Sequence, residues 1–217
     1  MSRITKIIII ISLYVACQMI ADVAATKLVQ IGDLIIPAGT FIFALTFTLR
    51  DVIHKKLGKQ WARAAILAAL AANILMSGYL FIMTLLPSPD FFGLSDSWNA
   101  IFALVPAITI ASIVAEFVSE MLDTELYHTV KTRLPKFPQW SRVLISNGVS
   151  LPVDSLIFAL LAFVLLPPLF GAASLPITVA LTIVWGQTIF KLIVTVISMP
   201  LIYTTKESSD EYYIGVL

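Results

Sequence analysis

The stretch RVLISNGVSLPVDSLIFALLAFVLLP, residues 142–167, decides the fold class. It is longer than the roughly 20 apolar residues that carry a helix across a bilayer, yet it holds a carboxylate, Asp154, near its middle. Working outward, five more stretches of the same kind lie at about 5–26, 34–50, 62–86, 99–126 and 177–203. The composition agrees. Of 217 residues, 59% are hydrophobic and 12% charged, with a mean hydropathy of +0.96, where ordinary globular chains carry about 25% charge. A soluble fold cannot hide that much apolar surface, and a bilayer can. The expectation is an all-α integral membrane protein, one domain over 1–217 with six transmembrane helices.

The charges between the spans set an orientation. Arg3 and Lys6 precede the first. Arg50, Lys55, Lys56, Lys59 and Arg63 surround the second connection, Lys131, Arg133, Lys136 and Arg142 the fourth, and Lys206 follows the last. Of the 14 cationic residues, only Lys27 and Lys191 fall elsewhere. The connection with Asp90 and Asp96 has no cation, and that from Pro168 to Pro176 has no charge. Positive loops stay in the cytoplasm, so both termini are expected inside, as an even number of spans requires. Arg3, Lys6 and the run from Ile7 to Leu13 also look like the start of a signal peptide. However, Tyr14 replaces the usual leucine ahead of Cys17, and Asp22 with Lys27 makes a poor cleavage region, so the first span is expected to remain.

Other classes find little support. A net charge of +1 gives no field for nucleic acid. One cysteine, Cys17, excludes an intrachain disulfide, and no Cys/His cluster offers a zinc site. No cofactor is expected. HExxH, GxSxG and the P-loop GxxxxGK[ST] are all absent, which speaks against an intramembrane enzyme and against direct ATP drive. The only histidines, His54 and His128, sit beside the basic loops.

Two stretches look like copies. Asp51, His54, Trp61-Ala62-Arg63, Leu85-Leu86-Pro87 and Phe92-Gly93 parallel Asp123, His128, Trp140-Ser141-Arg142, Leu165-Leu166-Pro167 and Phe170-Gly171. Arg and Pro are 24 and 25 residues apart in the two. Spans 2–3 and 4–5 therefore read as a repeated helical hairpin, and transporters are often built from such repeats with the site between them. Aligned on Asp51 and Asp123, Glu116 stands opposite Ala44 and Glu120 opposite Thr48. The second copy alone is acidic, which draws the expected site towards spans 4 and 5.

Ionisable groups inside spans are costly and are functional candidates by default. Helical spacing gathers them into stripes: Gln18 and Asp22 on span 1; Ser112, Glu116, Ser119, Glu120 and Asp123 on span 4; Ser146, Asn147, Ser150 and Asp154 on span 5; Gln187, Lys191, Thr195 and Ser198 on span 6. Lipid cannot solvate such groups, so the stripes are expected to share an interior. Interhelical hydrogen bonding explains Ser112, Ser119 or Thr195 well, and an Asp154–Lys191 ion pair is the plain structural alternative for that couple. Glu120 and Asp123, near the inner interface, also suit snorkelling. A cavity of carboxylates, an ammonium and amides fits a small polar solute. Tyr14, Phe43, Phe47, Phe117, Phe158 and Phe163 lie in the right spans to stack on a ring, although simple packing is the commoner use of such residues. Pro106, and Gly148 with Pro152, are candidate kinks. A channel fits less well, because three differently charged helices suggest a solute site more than a pore ring.

The run Leu49-Arg50-Asp51-Val52-Ile53-His54-Lys55-Lys56-Leu57-Gly58-Lys59 with Ala62-Arg63 resembles a signature of the vitamin-uptake transporters that import queuosine precursors. Ala111-Ser112, Ser119-Glu120 and Asp123 are similar to the family's fourth span. Arg142, Ser146-Asn147, Ser150, Asp154-Ser155 and Phe158 resemble its fifth, and Lys191, Pro200 and Tyr203 its last. The resemblance runs from about residue 40 to 203. It implies a six-helix importer in the bacterial inner membrane, bringing in 7-deazaguanine bases, chiefly 7-cyano-7-deazaguanine, for queuosine in transfer RNA. The implied partners are that small molecule and membrane lipid, with no nucleic acid bound directly; a homo-oligomer is left open. The substrate would be held by Asp154 or Glu116 at its N1–H and exocyclic amine, by Gln187, Asn147 or Lys191 at its carbonyl, and by Ser150, Phe43 and Phe158 around the ring. Asp22, Asp51, Glu120 and Asp123 are the candidates for coupling or gating. Glu116 stands where the family often has an aromatic residue, Glu120 where it has Gln, and Leu151-Pro152 where Gln follows the serine. These departures suit a different base or a cationic precursor such as the aminomethyl form. The alternative within membrane transport is a substrate-binding subunit of a multi-protein vitamin importer.

Overall fold

The computed structural model describes residues 3–57, 59–134, 136 and 138–204. Of the residues singled out above, Lys206 lies outside the described residues. So do the side chains of Arg3, Phe47, Asp51, His54, Lys55, Lys56, Lys59, His128, Lys131, Arg142, Ser198, Pro200 and Tyr203.

The chain runs through α1 (Arg3–Ala24), β1 (Leu28–Ile31), β2 (Leu34–Pro37), α2 (Gly39–Leu57), α3 (Lys59–Thr84), α4 (Ser95–Phe102), α5 (Val105–Arg133), α6 (Gln139–Leu160) and α7 (Ile177–Thr204). Among the described residues, five stretches are helical, long and apolar enough to cross a membrane: Ile4–Ala24, Gln60–Thr84, Ser95–Asp123, Leu144–Leu165 and Ile177–Ile197. The helix in the expected second span, α2, is not one of them; Arg50, Asp51, Lys55 and Lys56 occupy its second half.

Side-chain distribution is that of a multi-pass membrane protein. Large apolar residues such as Leu75, Phe117, Trp185 and Ile197 point outward and are exposed. The interior is lined by small ones: Ala107, Ala111, Ala159, Ala162 and Ala180 are fully buried where α5, α6 and α7 meet, with Ile108, Phe158, Phe163 and Ile183. Small residues let membrane helices approach closely, since lipid supplies no hydrophobic force to drive them together. A second cluster, Tyr14, Ile53, Leu57, Ala62, Ala65 and Ala69, joins α1, α2 and α3.

Three departures from continuous helix shape the interior. The first interrupts an otherwise all-α membrane architecture. Residues 28–37 form a two-stranded antiparallel hairpin with Leu28 opposite Pro37 and Ile31 opposite Leu34, so the helix in the expected 34–50 span begins only at Gly39. The turn is Gly32-Asp33. Gly32 has φ +59° and, among the described residues, no non-glycine residue has positive φ, the pattern of a type II′ hairpin. Irregular backbone is tolerated at membrane depth only when protein covers it, and Ile36 and Pro37 are buried.

The second departure divides the expected fourth span. α4 ends at Phe102 and α5 begins at Val105. Pro106 therefore opens a helix, where its missing N–H costs nothing, and does not kink a continuous one. The third follows α6, which passes through Pro152 and ends in a π-turn over Leu161–Leu165 and a 3-10 turn over Pro167–Phe170. The Leu166 N–H bonds to the Leu161 carbonyl at 3.0 Å, and the Leu175 N–H returns to the Phe163 carbonyl at 2.7 Å.

Candidate functional site

Two glycines set the geometry. A side chain on Gly39 would collide with the Ala21 backbone carbonyl, and one on Gly186 with the Ile35 carbonyl. At these points backbone meets backbone without a Cβ between. The first contact presses the end of α1 against the start of α2 and brings Asp22 and Thr40 into one cavity wall. The second seats the hairpin against α7 one residue before Gln187. Gly186 is the tenth residue of α7, so the hairpin meets that helix roughly 13 Å along it, at 1.5 Å per residue.

Between these elements lies a small cavity of about 40 Å³, room for roughly two or three water molecules and below the roughly 300–1,000 Å³ of small-molecule sites, so a larger solute enters only as the helices part. Asp22, Thr40, Phe43, Ser112, Asp154, Phe158, Gln187 and Lys191 line it, with Ala21, Ala25, Gly39 and Ala115. Five helices thus contribute: α1, α2, α5, α6 and α7.

Asp154 and Lys191 form an ion pair between α6 and α7, each residue 8% exposed. The other Asp154 oxygen accepts from the Ser119 hydroxyl at 3.1 Å. The Lys191 ammonium also lies 5.6 Å from the centre of the Phe43 ring, within cation–π range. Phe158 stands edge-on to Phe163 at 5.8 Å. Asp22 is only 4% exposed. It accepts from the Thr109 hydroxyl at 2.9 Å and from Ser112 at 3.1 Å. Gln187 points its amide nitrogen at the Thr40 hydroxyl at 3.5 Å, while its Oε1 is buried without a partner. An orphaned buried acceptor in a cavity wall is costly unless a ligand or water satisfies it.

Of the residues expected to contact substrate, Asp154, Lys191, Gln187, Phe43 and Phe158 therefore share the cavity wall, and Asp22 joins them. Glu116, Asn147 and Ser150 do not line it. Arg50 of α2 reaches across to α5, where it pairs with Glu120 and lies 3.7 Å from Glu116. The Ser150 hydroxyl donates to Asp123 at 3.3 Å, and Asn147 is half-buried on α6. The Asp51 side chain lies outside the described residues. Phe117 is exposed. Thr40, Thr109 and Arg50 were not foreseen as site groups. Ser112 stood on the span 4 stripe, but nothing in sequence announced Thr40, which depends on the close approach at Gly39.

Residues 37–205 match the family described as "Putative vitamin uptake transporter". The chain belongs to this family. The match begins at the last residue of β2. It takes in every cavity residue from α2, α5, α6 and α7, while α1 with Asp22 lies ahead of it. A Bacillus subtilis (strain 168) protein named "Probable queuosine precursor transporter" is 26% identical over 191 residues, covering 86% of this chain and 79% of that protein. No solved structure matches the chain. Family and relative are both named as transporters, and the chain is a transporter of this family.

Proposed function

We propose that this chain imports a queuosine precursor, a 7-deazaguanine base such as 7-cyano-7-deazaguanine, across the bacterial cytoplasmic membrane. The relative's name supports the substrate class, and the cavity's chemistry suits it. The observation that carries the reading is a wall holding a carboxylate, an ammonium and an unpartnered amide oxygen beside two phenyl rings. A guanine-type edge offers N1–H and an exocyclic amine to acceptors, and its ring carbonyl needs a donor. Asp154 and the Gln187 oxygen accept the former, Lys191 donates to the latter, and Phe43 and Phe158 flank the ring plane. Moving the base between Asp154 and Lys191 exchanges one buried charge-assisted contact for others, so the site need not leave a bare charge in either state.

In this reading α2 is the second of six spans, the chain is one six-helix domain, and both termini face the cytoplasm. Support comes from the positive residues at the ends of α2 and α5 and from the lack of cations between α3 and α4. The hairpin then lies on the outer side, and the Arg50–Glu120 pair lies on the inner side of the cavity. Glu116, diverted to Arg50, is not needed as a substrate acceptor.

The test is uptake of tritiated 7-cyano-7-deazaguanine by liposomes containing only this purified chain. Saturable uptake that unlabelled base suppresses and adenine does not is the expected result. Binding without uptake would instead favour a substrate-binding subunit that needs an energising partner.

A further inference from the structure

Asp22 differs from the other acid in the cavity. Asp154 has Lys191, whereas Asp22 meets only the hydroxyls of Thr109 and Ser112 and has no cation within 4 Å among the described residues. Other titratable groups nearby are committed elsewhere. Asp154 of α6 and Lys191 of α7 bond to each other. Glu116 of α5, one turn beyond Ser112, lies beside Arg50 of α2. Tyr14 of α1 accepts from Gln18. β2 carries no charged residue, and the basic residue with a described side chain on α3, Arg63, is exposed.

An unpaired buried carboxylate is costly in hydrocarbon and sheds that cost by becoming neutral. A metal ion fits poorly: no group of three or more His, Cys, Asp or Glu is placed to hold one among the described residues. A proton fits, because a hydroxyl donates to a carboxylate and, by rotating, accepts from a carboxylic acid. Since Asp154 and Lys191 cancel, Asp22 alone sets the net charge of the cavity wall.

We propose that Asp22, held by Thr109 and Ser112, is the proton-binding site that couples base import to proton influx, an inference resting on the transport reading above. One O–H bond forms at the Asp22 carboxyl from hydronium on the outer side. The neutral cavity changes its facing, the same bond breaks to water on the inner side, and no electrons are transferred.

The test uses the full chain in liposomes with tritiated 7-cyano-7-deazaguanine, comparing wild type with Asp22→Asn. An acid exterior should drive wild-type accumulation above equilibrium. Asp22→Asn should lose that accumulation, and any exchange of labelled for unlabelled base that it retains should be indifferent to the exterior pH, because exchange needs no net proton movement. Accumulation by the variant equal to wild type would overturn the proposal, as would wild-type accumulation indifferent to the pH gradient. Infrared difference spectra between acid and alkaline pH give a readout that needs no substrate. A protonated-carboxyl band lost in Asp22→Asn is expected, and identical spectra would overturn the assignment. Should wild type carry no base in either mode, the substrate reading fails and the infrared comparison alone decides the proton site.

Discussion

Replacing Lys191 with methionine removes an ammonium and preserves most of the stem. Its partner Asp154 would then keep one hydroxyl, Ser119 at 3.1 Å, and no cation. The two side chains are 8% and 12% exposed, so little water reaches either. Breaking a buried pair from one side typically costs about 3–5 kcal/mol, because a bare charge remains. Asp154→Asn should cost less. The amide oxygen of the new Asn can still accept from the Lys191 ammonium, so that charge keeps a hydrogen-bond partner. The double variant Asp154→Asn/Lys191→Met leaves no charge, and its loss should fall to about 1 kcal/mol, near that of one imperfect hydrogen bond. The coupling between the two sites is then at least about 2 kcal/mol. Denaturant titration of the purified protein in detergent, run on all four proteins, measures it. Additive losses, or single variants each costing under about 0.5 kcal/mol, would refute a buried and mutually dependent pair. The double variant should also fold without importing base, which separates the site's chemistry from its stability.

Smaller perturbations probe other parts of the account. Gly39→Val and Gly186→Val press a side chain onto backbone carbonyls that cannot yield, so each should destabilise by about 1–3 kcal/mol; Gly78→Ala, where a Cβ meets nothing, should be neutral or stabilising in the same melts. Gln187→Leu deletes the unpartnered acceptor, so stability should hold or rise slightly while base affinity falls about 10- to 100-fold, the worth of a buried hydrogen bond to ligand, as read by radioligand binding. Arg50→Ala breaks a contact whose acidic partners are 27% and 47% exposed; partly exposed pairs are worth about 0–1 kcal/mol, so its melting curve should barely move. A large loss there would mean that the Arg50 cluster is buried on lipid insertion.

The transmembrane helices were legible because a span needs length and apolarity and little else. What interrupts them was less so. The hairpin lay hidden in 28–37 because Leu34–Pro37 continues the apolar run of the following helix. Its one signal was Gly32-Asp33 between two short apolar runs, a two-residue turn dipeptide. The second helix was expected to stop at Arg50, since hydropathy falls there, but it continues to Leu57. Stripe spacing anticipated polar faces between α6 and its neighbours: Ser119–Asp154 and Ser150–Asp123 join α5 to α6, and Asp154–Lys191 joins α6 to α7. Stripes do not give depth or rotation, so Glu116 and Asn147 seemed as well placed as Asp154. Arg50 of α2 answers Glu116 and Glu120 of α5, acids that stand opposite Ala44 and Thr48 when Asp51 is aligned with Asp123. An ion pair joins α2 to α5 at this point.

The central claim, import of a queuosine precursor through the Asp154–Lys191 cavity, is tested most directly by queuosine itself. A bacterium lacking both precursor synthesis and its own importer would express this chain and receive nanomolar 7-cyano-7-deazaguanine. Queuosine in its transfer RNA should reappear with wild type and stay absent with the inserted Asp154→Asn and Lys191→Ala variants. No queuosine with correctly inserted wild type, or equal queuosine with both variants, would contradict the account.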